Sequence, residues 1–364
     1  MKAKREILLK PLQMIVGVVE RRQTLPILGN VLVRVIGREV TLAATDLEVE
    51  LRTRVEVEST RDEEFTLPAR KFLDICKALP EGADVSLEVE GDKAVLRAGR
   101  GRYSLGILPA QDFPGVEEKA AVERFEIAED VLKGLIERTQ FAMAQQDVRY
   151  YLNGLLLEVR SGRVRAVATD GHRLAVSEVA DEELLGKDVQ VIVPRKAVLE
   201  LGRLLEKGGA KVGVEVSASH VKVVLGETTF ISKLIDGRFP DYERVMPRGD
   251  AEVLVADREI LRQALIRTAI LSNEKYRGIR FRLEKGSAEL VAHNPEQEEA
   301  EERIEVEYDG KEMTVGFNVT YLLDVINVLD AEKVELSLVD ANSSCLIRGE
   351  GREGSRYVVM PMRL

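Results

Sequence analysis

The stretch Thr169-Asp170-Gly171-His172-Arg173 places a carboxylate, an imidazole and a guanidinium in a row. A carboxylate two residues from an imidazole could form an acid–base pair, as a hydrolase would require. Thr45-Asp46 lies 124 residues earlier without a histidine, and His293-Asn294 lies 124 residues later without an acid. A catalytic site built on this motif would exist in one copy only. The pattern therefore favours a structural turn between two strands over catalysis.

Other signatures of chemistry are weak. His172, His220 and His293 have no partner at metal-ligand spacing, so we expect no metal site. The Gly99-Arg100-Gly101 stretch lacks the rest of a phosphate-binding loop, and no Gly-x-Ser-x-Gly elbow occurs. We therefore expect no catalytic residue and no cofactor.

The motif belongs to a repeat of domain size. Asn30-Val31, Gly154-Leu155 and Gly278-Ile279 line up at the same interval of 124 residues. This interval is too long for a solenoid unit and fits a whole domain. We predict three tandem copies of one domain, at residues 1–120, 121–247 and 248–364.

Each copy predicts the same order of elements. Apolar spacing from Ile7 to Val19 predicts a helix, and Pro68-Ala69-Arg70-Lys71 opens a second helix that ends at Leu79. Strands joined by tight turns favour antiparallel sheets with helices on one face, an α+β fold. The predicted strands of the first copy are 31–35, 40–45, 46–52, 65–67, 85–89, 93–98 and 102–108. Later copies repeat the second helix at Ala197–Leu205 and Val319–Leu329, the last capped by Asn318.

Composition predicts a soluble, cytoplasmic globular protein. The 364 residues are 45% hydrophobic and 32% charged, and no apolar run approaches the ~20 residues of a membrane span. Cys76 and Cys345 lie in different copies, which favours reduced thiols. The net charge of −10 argues against binding nucleic acid by bulk electrostatics.

The predicted helices nevertheless lean basic, which would suit phosphate contacts, although ordinary solvated helix charges would give the same pattern. The basic residues are Lys10, Arg21, Arg22, Arg70, Lys71, Lys77, Lys133, Arg138, Arg195, Lys196, Arg203, Lys207, Arg258, Arg262 and Arg267.

Seven blocks are spread over all three copies, at Thr24–Asn30, Gln146–Gly154, Ala168–Ala175, Asp236–Tyr242, Ile270–Lys275, Asn294–Glu302 and Tyr357–Leu364. Together these blocks resemble the bacterial DNA polymerase III β subunit family, the sliding clamps. The resemblance implies a head-to-tail homodimer that closes into a ring around duplex DNA. Topology would hold such a ring, so weak, sequence-independent phosphate contacts would suffice despite the acidic net charge.

The resemblance also implies partners and a role in replication. The ring would be a non-catalytic processivity factor that tethers the replicative polymerase. Expected partners are duplex DNA, a clamp loader, the DNA polymerase III α subunit, and other replication and repair proteins with a clamp-binding motif. No membrane partner is implied.

The resemblance further implies two sets of site residues. A partner-peptide pocket would involve Leu152, Thr169, Gly171, His172, Arg173, Leu174, Pro240, Arg244, Val245, Asn318, Tyr321, Ser344, Val358, Met360, Pro361, Met362 and Arg363. Asn342 and Cys345 depart from the family pattern near this pocket, which bears on peptide preference. DNA contacts would come from Arg22, Gln146, Tyr150 and Tyr151, to which the basic helix starts add Arg70, Lys71, Arg195 and Lys196.

The dimer contact is expected between the first domain of one chain and the third domain of the other. Arginines facing glutamates would set the register, and apolar burial would supply most of the affinity. The first domain would contribute Arg100, Arg102, Tyr103, Leu105 and Ile107, and the third domain Ile270, Leu271, Glu296, Glu298, Glu299, Glu301 and Glu302.

Two alternatives stay open on the sequence alone. One is a hydrolase that uses Asp170 and His172, and the other is a repeat scaffold that binds proteins but no DNA. The triplication favours the clamp, because it accounts for the whole chain, whereas the hydrolase accounts for one copy.

Overall fold

The computed structural model describes residues 1–20, 25–59, 61–116, 120–247 and 250–363. Across these ranges a group of one strand, one helix and three strands occurs six times, twice in each predicted copy. The first copy contains β1 (Lys2–Lys4), α1 (Arg5–Ile15), β2 (Asn30–Ile36), β3 (Glu39–Thr45), β4 (Val49–Glu56), β5 (Glu63–Pro68), α2 (Ala69–Ala78), β6 (Asp84–Glu90), β7 (Lys93–Ala98) and β8 (Gly101–Gly106).

The other two copies keep this order. The second contains β9 (Glu123–Ala128), α3 (Glu129–Thr139), β10 (Gly154–Arg160), β11 (Arg163–Thr169), β12 (Arg173–Ala180), β13 (Asp188–Pro194), α4 (Arg195–Leu204), β14 (Lys211–Val216), β15 (His220–Leu225) and β16 (Thr228–Lys233). The third contains β17 (Glu252–Asp257), α5 (Arg258–Ala269), β18 (Gly278–Glu284), β19 (Ser287–His293), β20 (Glu299–Glu305), β21 (Met313–Asn318), α6 (Val319–Val328), β22 (Lys333–Leu338), β23 (Cys345–Gly349) and β24 (Ser355–Val359).

The chain divides into two compact units. The first unit comprises Met1–Leu132 and Lys196–Leu234, and the second comprises Lys133–Arg195 and the chain from Ile235 onward. The first unit holds an eight-stranded sheet, β5-β2-β3-β4-β16-β15-β14-β9, and a four-stranded sheet, β1-β6-β7-β8. The second unit holds the eight-stranded sheet β13-β10-β11-β12-β24-β23-β22-β17 and the four-stranded sheet β20-β19-β18-β21.

Within each eight-stranded sheet, one antiparallel pair joins strands from two consecutive copies. β4 pairs with β16 in the first unit, and β12 pairs with β24 in the second. We call these two pairs the repeat junctions. Phe230 lies opposite Leu51 in the first junction, and Tyr357 lies opposite Ala175 in the second. All four side chains are fully buried, so each junction is part of a continuous core.

Helices cover the sheets within each unit, in agreement with the prediction. In the first unit α1 and α2 pack on each other, α1 lies against β3 and β4, and α2 lies against β2 and β5. In the second unit α5 and α6 pack on each other, with α5 against β19 and β20. Over the described residues, no helix is long and apolar enough to cross a membrane.

The repeated Thr-Asp pair forms the turn between two strands in the first copy. The Thr45 hydroxyl donates to the Val49 carbonyl at 3.0 Å, and an Asp46 carboxylate oxygen accepts from the Val49 backbone N–H at 2.7 Å. Leu47 between them has a φ of 79°. The strand that we predicted from Asp46 therefore begins only at Val49, because these side-chain hydrogen bonds hold the backbone in a turn.

The second copy repeats this turn. The Thr169 hydroxyl donates to the Arg173 carbonyl at 2.6 Å, and Asp170 accepts from the Arg173 N–H at 3.1 Å. Gly171 takes the positive φ of 88°, which glycine adopts without strain. The looser third match, Asn294, accepts from the Glu298 N–H at 2.9 Å. The preference for a structural turn over catalysis is thus supported by geometry in all three copies.

Sequence alternation misjudged β4, which we predicted to have one face exposed to water. Glu50 is 1% exposed, because β4 lies in the middle of a sheet and residue 116 packs over it. The Glu50 carboxylate pairs with Arg52 and accepts from the Val116 N–H at 2.6 Å, so the buried charge is satisfied. The strands that open each copy, β1, β9 and β17, were also not predicted.

Phe230→Ala should destabilise the first unit strongly, since it removes a fully buried ring from a repeat junction. Comparable truncations in protein cores cost about 3–5 kcal/mol. Urea unfolding monitored by circular dichroism measures the loss. Leu185→Ala, whose side chain is 64% exposed, is the control and should change the free energy of unfolding by less than about 1 kcal/mol. Equal losses in both variants would contradict the importance of the junction.

Candidate functional site

A buried apolar cluster in the second unit forms the floor of the candidate pocket. Leu174 of β12 lies opposite Val358 of β24, so the second repeat junction itself supplies two of the predicted pocket residues. The cluster consists of Leu156, Val167, Leu174, Val176, Ile192, Phe239, Tyr242 and Val358, with Tyr151, Ile235, Met246 and Leu346 packed against it and partly buried.

Arg173 organises the polar side of the pocket. Its guanidinium pairs with Asp170 at 3.1 Å and with Asp324 on α6, and it donates to the Phe141 carbonyl at 2.7 Å. The same group lies 4.5 Å from the centre of the Tyr321 ring. These contacts tie the turn before β12 to the helix α6.

Two other predicted residues complete this wall. The His172 imidazole is exposed and stacks on Tyr321, with ring centres 6.4 Å apart and planes at 24°. Asn318 accepts from the backbone N–H groups of Thr320 and Tyr321, which caps α6 as predicted. The cap fixes the start of the helix that carries Tyr321.

The C-terminal segment lies along the same wall. The Met360 N–H donates to the His172 carbonyl at 2.9 Å, and the Met362 N–H donates to the Gly316 carbonyl at 2.8 Å. Met360 is 38% exposed. A flexible thioether at a partly exposed position suits an adaptable apolar groove.

The remaining predicted pocket residues lie in the core, at two turns and in two loops. Leu152 is 2% exposed and belongs to the core. Pro240, Arg244 and Val245 are exposed on or next to the turn Tyr242–Val245, where Arg244 pairs with Asp241 at 2.7 Å. Thr169 ends β11 and Gly171 lies in the turn that follows, whereas Ser344, Pro361 and Arg363 lie in the loops beside β23 and after β24. Asn342 is exposed in the turn at Asp340, whereas Cys345 is fully buried and burial raises the pKa of its thiol.

Sequence reasoning missed several residues of this site. Phe141 and Asp324 hold Arg173, and Phe239 and Tyr242 pack in the floor. Asp324 had a detectable signal, because it lies three residues after Tyr321 and so shares its helix face. Its link to Arg173 spans 151 residues and has no local signal.

The predicted DNA-contact residues near α3 form an exposed loop. Tyr150 is 56% exposed and meets Tyr151 edge to face, with ring centres 5.8 Å apart. Gln146 is exposed with a φ of 56°. Nearby, a hydrogen bond from Arg149 lowers the pKa of the Asp147 carboxyl to about 2. Arg22 lies outside the described residues.

The basic helix starts are mostly occupied by contacts within the chain. Arg70 donates to the Val19 carbonyl at 2.5 Å, and Arg195 donates to the Met143 carbonyl at 3.0 Å. Lys196 pairs with Glu20 at 2.6 Å and with Asp46. A phosphate would compete with these partners, whereas Lys71 is exposed at the start of α2.

Most of the predicted dimer residues lie on or beside β8 and β20, which are outer strands of the two four-stranded sheets, and the other two lie just after α5. Tyr103 on β8 is 37% exposed, and Leu105 is buried. Ile270, after α5, is 72% exposed, and Leu271 is half-buried. The glutamates are on or beside β20, with Glu302 paired to Arg267 at 2.6 Å. Arg100 is exposed, and Arg102 pairs with Glu90 at 3.3 Å.

The geometry does not support the hydrolase alternative. One Asp170 carboxylate oxygen accepts from the His172 and Arg173 N–H groups, and the other pairs with the Arg173 side chain. The imidazole instead stacks on Tyr321. No group of three or more metal-ligating side chains occurs among the described residues. Burial raises the pKa of the Cys76 thiol to about 12, so this cysteine is a poor nucleophile.

Family models match the chain over almost its whole length. The N-terminal, central and C-terminal domains of the DNA polymerase III β subunit match residues 1–117, 126–241 and 243–363. The β sliding clamp of Pseudomonas aeruginosa is 56% identical over 99% of this chain and 98% of that protein. The β sliding clamp of Escherichia coli K12 is 48% identical over the same shares.

Solved structures of the same family also match the chain over its whole length. The sliding clamp of Pseudomonas aeruginosa bound to griselimycin matches with a TM-score of 0.97 and 55% identity, covering 100% of this chain and 99% of that chain. The polymerase III β subunit of Caulobacter crescentus matches with a TM-score of 0.95 and 39% identity, with the same coverage.

Arg173 and Asp324 should show strong energetic coupling. We expect a double-mutant cycle of Arg173→Gln and Asp324→Asn to give a coupling energy of about 1–2 kcal/mol, because the Arg173 side chain is largely shielded from water and Asp324 is partly shielded. Arg173→Gln alone should cost more than Asp324→Asn, since it also loses the Asp170 and Phe141 contacts. Urea unfolding measures all four proteins. Additive losses would remove this link from the pocket wall.

Proposed function

The chain belongs to the DNA polymerase III β subunit family and is a DNA sliding clamp, and we propose that two copies close head to tail around duplex DNA. Sliding clamps are non-catalytic processivity factors, so the chain is not an enzyme. The hydrolase and the protein-only scaffold are not supported.

The observation that carries the closure is the pattern of repeat junctions. Each junction pairs the fourth strand of one copy with the last strand of the next copy, β4 with β16 and β12 with β24. By the same rule β20 of the third copy should pair with the last strand of a following copy. Among the described residues, β20 and β8 both lie at the edge of their four-stranded sheets, and neither has a junction partner. A second chain supplies the missing strand, and two such contacts close the assembly.

The repeat also gives the register of this contact. Ala44 lies opposite Leu51, and Ala292, which is 248 residues later, lies opposite Ala300. Leu51 and Ala300 therefore occupy equivalent positions in the first and third copies. Tyr103 corresponds to Phe230, 127 residues later. Since Phe230 pairs with Leu51, Tyr103 should pair with Ala300 of the second chain, and Arg102 with Glu301. This register places arginine beside glutamate across the contact.

The other site assignments are part of the same proposal. The wall of Arg173, His172, Tyr321 and Met360 would bind clamp-binding peptides of the polymerase α subunit, the clamp loader and repair proteins. The exposed Tyr150 loop, Lys71 and Arg22 would touch DNA phosphates. We propose domain boundaries at 1–120, 121–247 and 248–364, and a cytoplasmic location.

An Arg102→Cys, Glu301→Cys variant should form a covalent dimer on oxidation. Directly opposed residues of an antiparallel pair lie about 4.5–5.5 Å apart at Cα, within the range of a disulfide. Cys76 and Cys345 are buried and should not interfere. When oxidised with nicked circular DNA, the dimer should stay on the circle in high salt and leave after linearisation. Gel filtration separates the protein that is retained on the circle from the protein that is released after linearisation.

Two controls accompany this experiment. Arg102→Cys with Glu302→Cys shifts one cysteine to the opposite face of its strand and should not cross-link. Ile270→Ala with Leu271→Ala should give a folded monomer by sedimentation at micromolar concentration, because two apolar anchors are lost at each contact. Equal cross-linking of both cysteine pairs, or retention on linear DNA, would contradict the ring.

Deleting residues 360–364 should abolish binding of a polymerase-derived peptide. The deletion removes Met360 and Met362 from the pocket wall, and a few kcal/mol is a large share of the ~8 kcal/mol of a micromolar complex. Fluorescence anisotropy measures the affinity. The truncated protein should remain a dimer by sedimentation, and unchanged peptide affinity in this dimer would refute the pocket assignment.

A further inference from the structure

We propose that a groove beside the partner pocket binds acidic side chains that flank the pocket-binding part of a partner peptide. The groove lies in the second unit and has a volume of about 440 Å³. Glu158, Arg160, Arg165, Arg238, Pro240 and Tyr242 are among the residues that line it. This inference rests on the proposed function, because it extends the same peptide-binding site.

The groove is continuous with the pocket through one segment. Pro240 is a predicted pocket residue and also lines the groove. Its neighbours Phe239 and Tyr242 line the groove and pack in the apolar cluster with Leu174 and Val358. A peptide chain that leaves the pocket over Pro240 therefore enters the groove.

The base of the groove is fixed by internal ion pairs. Arg165 pairs with Glu158 at 3.2 Å and with Glu178 at 2.6 Å, and it donates to the Tyr242 hydroxyl at 2.5 Å. Glu243 lies 3.6 Å from Arg165. Three carboxylates line the groove, namely those of Glu158, Glu243 and Asp241. Asp241 pairs with Arg244 at 2.7 Å. Each lining carboxylate thus faces a guanidinium already.

Two arginines of the groove remain without such a partner. Arg160 ends β10, and Arg238 lies just before Phe239, and both side chains are exposed. Among the described residues, no carboxylate lies within ion-pairing distance of either. A guanidinium binds a carboxylate through two parallel hydrogen bonds, so these arginines fit aspartate or glutamate side chains. The partner chemistry is an acidic peptide segment.

The test uses griselimycin, the ligand crystallised with a relative, extended by a flexible Gly-Ser linker that ends in three aspartates or three serines. Fluorescence anisotropy at low salt measures both affinities. With the wild-type chain, the aspartate probe should bind about 5–10-fold more tightly than the serine probe, and salt should reduce the difference.

Arg160→Gln with Arg238→Gln should abolish this difference and leave the serine probe unaffected. Arg38→Gln with Arg352→Gln removes the same charge at other exposed positions and should retain the difference. Equal affinities of the two probes for the wild-type chain would overturn the groove. If neither probe bound to the wild-type chain, the pocket itself would be refuted. If the Arg160 and Arg238 variant instead weakened retention on circular DNA and left the probes unchanged, the groove would serve DNA and the proposal would fall.

Discussion

The structure depends on one interaction, the antiparallel backbone pairing that joins consecutive copies of the repeat. The pairs β4–β16 and β12–β24 convert separate sheets into two eight-stranded sheets. Backbone hydrogen bonds set the register, and the buried rings of Phe230 and Tyr357 set which faces meet. The second junction also supplies Leu174 and Val358 to the floor of the proposed peptide pocket. The same pairing rule, applied to the edge strands β8 and β20, is the basis of the contact that we propose between two chains.

Much of the fold could be predicted from the sequence because its signals are local and repeated. The interval of 124 residues, the helix starts at Pro68 and Asn318, and the Thr-Asp turns depend on neighbouring residues. Errors arose where tertiary contacts override local pattern. Glu50 alternates like a surface residue but is buried in mid-sheet, and Lys196 reads as a free cation but is held by Glu20 and Asp46. The pocket residues came from family resemblance, whereas the support of Arg173 by Asp324 became visible only in the structure.

Charge is used differently on different parts of the chain. Most arginines on the strands pair with a glutamate on a neighbouring strand, as Arg165 does with Glu158 and Glu178. Such pairs specify strand register more than they add stability. A chain of net charge −10 can therefore still present a few uncommitted guanidinium groups, such as Arg160 and Arg238. If the proposed groove binds acidic segments, selectivity for partners depends on which cations lack an internal partner and little on the total charge.

The way in which the middle copy is divided between two sheets has an evolutionary consequence. Its strands β14 to β16 belong to one eight-stranded sheet and its strands β10 to β12 to the other, so it presents one junction strand to each neighbouring copy. Every copy carries a strand at both junction positions, as the fourth strand and as the last strand of the copy. Gene duplication could therefore fuse copies into longer chains without a new type of interface. An assembly with a given total number of copies could then be built from a few long polypeptides or from more numerous short ones. A requirement for the shared edge geometry would leave the other surfaces of each fused copy free to diverge.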